Sequence, residues 1–184
     1  MPKAVAVCGH ICSGKSSVIA HLSKSYNWNV ISFGKYIRHL ALTQGLSPTR
    51  EVYQTLGQEV VSRGDPHQFL HQVIRFNQPA SEVHLFDGIR HVSVFDALRQ
   101  VYDDTLVIFL DLSHEQRYRR FMARAAEDDP SLTYEEFLRL SDQPVERGIS
   151  EIADLTDYRV DAAAPLQKII NEIDQVLAFK RFTS

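Results

Sequence analysis

The chain has 184 residues, 44% of them hydrophobic, and a formal net charge of −3 from 20 basic and 23 acidic side chains. This length and hydrophobic share suffice for one packed core, so a single domain over residues 1–184 is predicted. The near balance of charge argues against a dedicated nucleic-acid binder, which shows a basic excess. The sequence also has no apolar run of 18 residues, which argues against a membrane span.

Hydrophobic runs alternate with amphipathic stretches along the chain. Strands are predicted at residues 5–8, 29–33, 83–87, 105–112 and, more weakly, 156–162. Helices are predicted at 16–25, 35–42, 47–64, 65–76, 91–102, 113–126 and 134–140, and from Pro165 onward. Thr49, Asp65 and Ser113 are of the types that cap helix N-termini. This alternation predicts an α/β fold of three layers around a five-stranded parallel sheet.

The two cysteines, Cys8 and Cys12, are too few to staple a domain of this size. A reducing, cytoplasmic location is therefore expected. Their spacing could suggest a metal site, but no further cysteine is present to complete one.

A phosphate-binding motif spans residues 9–16, where GHICSGKS matches G-x-x-x-x-G-K-[ST] in full. It follows a predicted strand and opens a predicted helix, as such a loop requires. The glycines let backbone N–H groups converge on phosphate oxygens, the Lys15 side chain adds a cation, and the Ser16 hydroxyl can bind Mg²⁺. The predicted ATP-binding residues are Gly9, His10, Ile11, Cys12, Ser13, Gly14, Lys15, Ser16 and Ser17.

An apolar run ending in Asp87 has the form of a Walker B strand, whose acid helps to hold Mg²⁺. Ser16 and Asp87 are accordingly the predicted metal ligands, and ATP and Mg²⁺ the predicted cofactors. The Asp87 carboxylate has a second possible use, as a base toward an acceptor hydroxyl. The sequence leaves both uses open.

Four arginines follow these elements at positions suited to phosphoryl transfer. Arg38 lies one turn into the helix after the second strand, Arg90 follows Asp87-Gly88, and Arg120 and Arg124 share one helical face. Such transfer relies on positioning and charge neutralisation, which calls for cations from several segments. The neighbouring Arg117 and Arg119 are expected to be solvated. Tyr36, Tyr53 and Phe69 either stack on a base or, as the simpler interpretation, pack in the core.

These motifs resemble the P-loop nucleoside and nucleotide kinase superfamily, with similarity to its adenylate-kinase-like and dephospho-CoA-kinase-like branch. SFGKYIR at 32–38 is similar to the S-x-G-D-h-h-R of those enzymes (h is apolar), and DGIR at 87–90 to their D-G-h-P-R. RFMAR at 120–124 matches the R-x-x-x-R that opens their lid. The chain departs from the pattern at Lys35, which replaces an acid, and in DAAAP at 161–165, which lacks the usual Asn and Gly.

The resemblance implies a helical acceptor-binding segment at about 34–80 and a short lid at about 126–145. It implies that Lys15, Asp87, Arg120 and Arg124 are catalytic, with both lid arginines neutralising the transferred group. The residues implied to hold the acceptor are Ser32, Gly34, Lys35, Arg38, Gly88 and Arg90.

Three functions remain open at this point. The first is an ATP-dependent phosphotransferase acting on a small nucleotide-like acceptor, foremost a (deoxy)nucleoside monophosphate. The second is a kinase with a hydroxyl acceptor, such as a dephospho-CoA or nucleoside kinase, and the third is a regulatory nucleotide-binding NTPase. The protein is expected to be a monomer or homodimer without nucleic-acid or membrane partners.

Overall fold

Five strands and a series of helices alternate along the chain. The computed structural model describes residues 2–128, 132–141 and 143–183, without the side chains of residues 124–128, 140, 144 and 145. The strands are β1 (Lys3–Cys8), β2 (Asn29–Ser32), β3 (Val83–Asp87), β4 (Thr105–Asp111) and β5 (Tyr158–Asp161). The helices are α1 (Lys15–Tyr26), α2 (Phe33–Thr43), α3 (Arg50–Arg63), α4 (Pro66–Asn77), α5 (Val92–Val101), α6 (His114–Asp128), α7 (Tyr134–Ser141), α8 (Pro144–Leu155) and α9 (Leu166–Phe179).

The strands pair in the order β2-β3-β1-β4-β5, and every neighbouring pair is parallel. The register sets Asp87 beside Val7 on one side and beside Ser32 on the other. The carboxyl ends of β1, β2 and β3 therefore lie at one edge of the sheet, with the loop after β1 at its centre. The predicted five-stranded parallel sheet is confirmed.

Side chains of β1 alternate between two hydrophobic layers, as the period of an extended strand requires. Ala4, Ala6 and Cys8 pack with α2, α3, α4, α5 and α8, whereas Val5 and Val7 pack with α1 and α9. The central strand is thus buried on both faces, and the predicted three-layer α/β fold is confirmed.

The predicted helix caps are also confirmed. The side-chain oxygens of Thr49, Asp65 and Ser113 each accept a hydrogen bond from a backbone N–H two or three residues later. These bonds satisfy amides that have no partner inside the helix and fix where α3, α4 and α6 begin.

Helix α8 is the one element of the described chain that the sequence did not indicate. Its Ile149, Ile152 and Ala153 are buried against the layer that contains α5. The predicted lid range of 126–145 includes α7 and the first residues of α8, while residues 129–131 and 142 of that range lie outside the described chain. The lid therefore stays a prediction.

Trp28, the single tryptophan, lies just before β2 and is 7% exposed. Its ring stacks on that of Tyr26 with centroids 4.8 Å apart. The Tyr26 hydroxyl in turn donates to Asp174 of α9 over 2.9 Å. This aromatic pair lies at the amino-terminal edge of the sheet, opposite the loop after β1.

Candidate active site

The loop after β1 has the backbone of a phosphate cradle. Gly9 and Gly14 have φ angles of 148° and 100°, in a region that favours glycine. A Cβ on Gly9 would lie 2.7 Å from the Ser13 hydroxyl and 2.9 Å from the Leu110 carbonyl oxygen. Only glycine fits at this position, so the backbone geometry of the loop explains why the motif begins with glycine.

Lys15 closes this cradle with its ammonium group, which donates to the carbonyl oxygens of Gly9, over 2.5 Å, and His10, over 2.8 Å. Burial and, to a smaller extent, the nearby charge of Arg90 lower the pKa of Lys15 to about 8. The carboxylates of Glu146 and Asp87 oppose that shift. Cations and anions from three separate segments thus meet at the lysine.

The residues at this loop fit a triphosphate with Mg²⁺. Helix α1 begins at Lys15, and the first amides of a helix have no partner within it, which makes its start an anion site. Ser13 supplies a buried hydroxyl that makes no hydrogen bond. Ser16 is exposed and Asp87 half-buried, and hydroxyl and carboxylate oxygens are donors that Mg²⁺ prefers.

A cavity of about 320 Å³ lies on the α1 side of the loop. It is lined by Ser13, Gly14, Ser17, Val18, Leu110, Arg120, Ala123, Ala164, Leu166 and Ile169. Arg120 donates to the carbonyl oxygens of Ser13 over 3.1 Å and Ala162 over 2.6 Å. It thus ties the phosphate loop to the segment after β5. Arg124 lies on α6, and its side chain is outside the described part of the chain.

A second cavity, of about 210 Å³, lies between α2, α3, α4 and the loop after β3. Gly34, Arg38, Gly88 and Arg90 all line it, as do the aromatic rings of Phe33, Tyr53 and Phe69 and the apolar side chains of Ile37, Val61, Ile89 and Val94. Two residues proposed for the acceptor lie elsewhere. Ser32 is buried and caps α2 by accepting from the Lys35 amide over 3.4 Å, and the Lys35 side chain is exposed.

Three further polar side chains line this cavity, and the sequence did not indicate the first two. Arg50 and Gln54 reach it from α3, and His91 from the loop after β3. Burial and the charge of Arg90 lower the pKa of His91. The sequence predicted the helix around Arg50 and its N-terminal cap. It did not show which way the first turn faces, because that depends on how α3 packs on α2.

Glu146 was also missed, since no helix was predicted around it. Its side chain is 1% exposed. One carboxylate oxygen lies 2.9 Å from His10 Nδ1 in the phosphate loop, and the other lies 3.7 Å from Arg90 Nη1 in the second cavity. Glu146 therefore stands between the two halves of the site.

The expectation that Arg117 is solvated was wrong. Its side chain is 1% exposed, lies over the Phe137 ring at 5.7 Å and donates to the Ser141 hydroxyl over 3.4 Å. This arginine joins α6 to α7. Arg119 is exposed and pairs with Glu115 one turn away, as a solvated helix face predicts.

Two kinds of site are not found in the described residues. They contain no group of three or more His, Cys, Asp or Glu residues arranged to hold a metal ion. Among the same residues, no helix is long and apolar enough to cross a bilayer.

The sheet order, the glycine-shaped loop and its lysine define a P-loop domain with the fold of the small kinases. A family model described as AAA domain matches residues 5–138, which is more than half of the chain. The chain belongs to this AAA domain family.

Relatives and solved structures match the chain over most of its length. A UPF0200 protein of Methanothermobacter thermautotrophicus is 28% identical over 179 residues, covering 94% of this chain and 88% of that one. Shikimate kinase from Aquifex aeolicus superposes with a TM-score of 0.57 at 18% identity, over 95% of this chain and 96% of the other. The Bacteroides thetaiotaomicron shikimate kinase gives 0.60 at 14% identity, over 96% and 97%. At these identities the two kinases establish the fold alone.

Proposed function

We propose that this protein is a phosphotransferase that moves the γ-phosphate of ATP to a nucleotide-like acceptor, foremost a (deoxy)nucleoside monophosphate. One observation carries the proposal: Arg38, Arg50 and Arg90 come from three segments and line one cavity near the phosphate loop. Arginine presents a planar set of donors that matches the oxygens of a phosphate.

The walls of that cavity support a planar body on the acceptor. Tyr53 and Phe69 are aromatic and line it beside aliphatic side chains, while Gln54 supplies an amide for hydrogen bonds. Ligand sites of this kind combine an apolar wall with a few polar groups that fix orientation. A purine or pyrimidine ring attached to a phosphate meets both requirements.

The donor side supplies positioning and charge. Lys15 and the amides at the start of α1 would hold the triphosphate, and Ser16 and Asp87 would hold Mg²⁺, which neutralises phosphate charge when it is bound. Arg120 would have to leave the Ser13 carbonyl oxygen to reach the transferred phosphate. Its catalytic use, and that of Arg124, stay part of the proposal.

A panel of acceptors tests the function. ADP release would be followed with ATP and Mg²⁺ in the presence of nucleoside and deoxynucleoside monophosphates, nucleosides and dephospho-CoA, with the phosphorylated product identified by mass spectrometry. We expect acceptor-dependent ADP formation with a monophosphate and none with the Lys15→Met variant. ATP hydrolysis that no acceptor stimulates would refute the proposal and favour a regulatory NTPase.

A hydroxyl acceptor is the second candidate, because Asp87 ends β3 directly before Gly88 and Arg90, which line the second cavity. The half-buried Asp87 ends β3 and contributes to the electrostatic environment of Lys15. If the acceptor reacts through a hydroxyl, Asp87→Asn should stop transfer while Mg²⁺-dependent ATP binding persists. Activity retained by that variant would exclude Asp87 as the base.

The location and assembly of the protein stay predictions. We propose a cytoplasmic monomer or homodimer. Its sequence balances acidic and basic residues, which favours a small-molecule partner over nucleic acid.

A further inference from the structure

Glu146 is the only acidic side chain that is buried among the residues the structure describes. It comes from α8, none of whose described residues lines the second cavity, which we call the acceptor cavity. A buried carboxylate is costly unless it is paired or hydrogen-bonded. The groups that contact the Glu146 carboxylate therefore indicate its role.

On the donor side, Glu146 holds the first turn of the phosphate loop. Its Oε2 accepts a hydrogen bond from the Ile11 amide over 3.5 Å and lies 2.9 Å from His10 Nδ1. The other ring nitrogen of His10 lies 3.4 Å from the Ser150 hydroxyl, one turn further along α8. The His10 ring also packs edge-on against Phe109 of β4. Helix α8 thus fixes the loop through a side chain and a main-chain amide.

On the acceptor side, Glu146 faces Arg90. Its Oε1 lies 3.7 Å from Arg90 Nη1 and makes no hydrogen bond of its own. The backbones are also close, since a Cβ on Gly148 would lie 2.5 Å from the Arg90 carbonyl oxygen. Arg90 lines the acceptor cavity, so one guanidinium faces both Glu146 and the proposed acceptor.

The charge state of Glu146 suits this position. Burial raises the pKa of Glu146, but the hydrogen bond with His10 and the charge of Arg90 lower it by more, so its pKa lies below the ordinary value. The side chain is therefore a carboxylate at neutral pH. An acceptor anion bound to Arg90 would compete with the Glu146 carboxylate for the same guanidinium. Any movement of Arg90 would also change the surroundings of Glu146 Oε1, which makes no hydrogen bond.

We propose that Glu146 is a positioning residue that couples the acceptor cavity to the donor loop, so that the position and charge of Arg90 affect the affinity of the loop for ATP. The inference rests on the proposed function only in taking the loop as the ATP site. The link runs from Arg90 through the Glu146 carboxylate to His10 and the Ile11 amide. Glu146 itself need touch neither substrate.

A double-mutant cycle on donor binding alone tests the coupling. The dissociation constant of β,γ-imido-ATP with Mg²⁺ would be measured calorimetrically for the wild type, Arg90→Gln, Glu146→Gln and the double variant. We expect Arg90→Gln to change the affinity in the wild-type background by at least about threefold more than in the Glu146→Gln background. A direct long-range effect of Arg90 on the triphosphate would persist in both backgrounds and cancel in the comparison.

Glu151→Gln is the matched control, because Glu151 is an exposed acid on the same helix. Its cycle with Arg90→Gln should show independent effects. If Glu146→Gln does not fold, the cycle between His10→Asn and Arg90→Gln examines the same link from the loop side. Independent effects of Arg90 and its partner in whichever cycle is measured would overturn the coupling.

The outcome is separable from that of the acceptor panel, since no acceptor is present in the cycle. Coupling without any acceptor turnover would keep the inference and remove the proposed kinase. Acceptor turnover combined with independent effects of Arg90 and Glu146 would support the proposed kinase and overturn the coupling.

Discussion

At the scale of single residues, the site is a set of charges held close to one another under partial burial. Lys15 is the centre of this set. In the proposed function its side chain serves as a cation for a triphosphate, yet burial and Arg90 favour its neutral form. The proposed role would therefore oppose the stability of the protein without ligand, as is common in active sites.

The first prediction concerns the pH dependence of stability. The folded-state pKa of Lys15 is about 8, below its ordinary 10.5, so between these values the unfolded chain binds the proton that the folded protein has released. Stability should therefore rise with pH across this window. We expect the melting temperature of the wild type, relative to that of Lys15→Met, to increase from pH 7.5 to pH 10. A relative melting temperature that stays constant or falls would contradict the lowered pKa.

The second prediction distinguishes the two ends of α3. Arg50 lines the acceptor cavity, whereas the Arg63 side chain is 79% exposed and, among the described residues, forms an ion pair only with Glu59 one turn away. Arg50→Gln should raise the acceptor KM about tenfold or more, because a charge-assisted hydrogen bond is lost. Arg63→Gln should leave it unchanged. Equal acceptor KM values for the two variants would show that Arg50 does not bind the acceptor.

The sequence located those candidate site residues that are tied to a strand end. The phosphate loop occupies eight consecutive positions after β1, and Gly88 and Arg90 follow β3 directly. Arg117 shows the limit of this approach. It is surrounded in sequence by other polar residues, so only the packing of α6 on α7 reveals that its guanidinium is covered by Phe137.

At the scale of elements, α8 links the two sides of the site. The sequence did not indicate α8 because Pro144 and Gly148 are of residue types that usually end or interrupt helices. In the structure Pro144 takes the first helical position, where a missing N–H costs nothing, and Gly148 is where α8 crosses the Arg90 backbone. Both residues are thus compatible with the helix for reasons that require the fold.

Gly148 gives the third prediction. A methyl group there would meet the Arg90 carbonyl oxygen at 2.5 Å, which forces α8 or the loop after β3 to move. Gly148→Ala should therefore lower the free energy of unfolding by about 1–3 kcal/mol in urea denaturation.

Gly57→Ala on α3 is the matched control, since its Cβ would meet only Ile37 at 3.9 Å, an ordinary contact. Replacing a glycine within a helix should stabilise it by about 0.5–1 kcal/mol. If both variants shift stability in the same direction, the contact between α8 and Arg90 is not tight.

At the scale of the whole molecule, the fold places two cavities on the carboxyl-terminal side of one parallel sheet, where such sheets bind ligands. The number and direction of the strands followed from the alternation of apolar runs, because parallel strands need helical crossovers. Their order in the sheet was not predicted. The shape of the acceptor cavity did not follow from sequence. It is built by α2, α3 and α4, whose mutual packing is decided by side chains far apart in the chain.

The fourth prediction is a global stabilisation by the donor. A ligand that binds only the folded state at about 100 times its Kd adds about 2.7 kcal/mol, or roughly 5–10 °C in melting temperature for a chain of this size. We expect such a shift with β,γ-imido-ATP and Mg²⁺, and a smaller one with EDTA. A shift that EDTA leaves intact would exclude the metal from donor binding.

The position of Trp28 determines what intrinsic fluorescence can report in these experiments. The indole is the chain's only one and is packed on Tyr26 at the opposite edge of the sheet from both cavities. Intrinsic fluorescence will therefore report loss of the packed core and stay nearly silent when nucleotides bind. An optical signal for the acceptor would have to be introduced, and Tyr53→Trp, in the wall of the acceptor cavity, would place an emitter within reach of the bound ring.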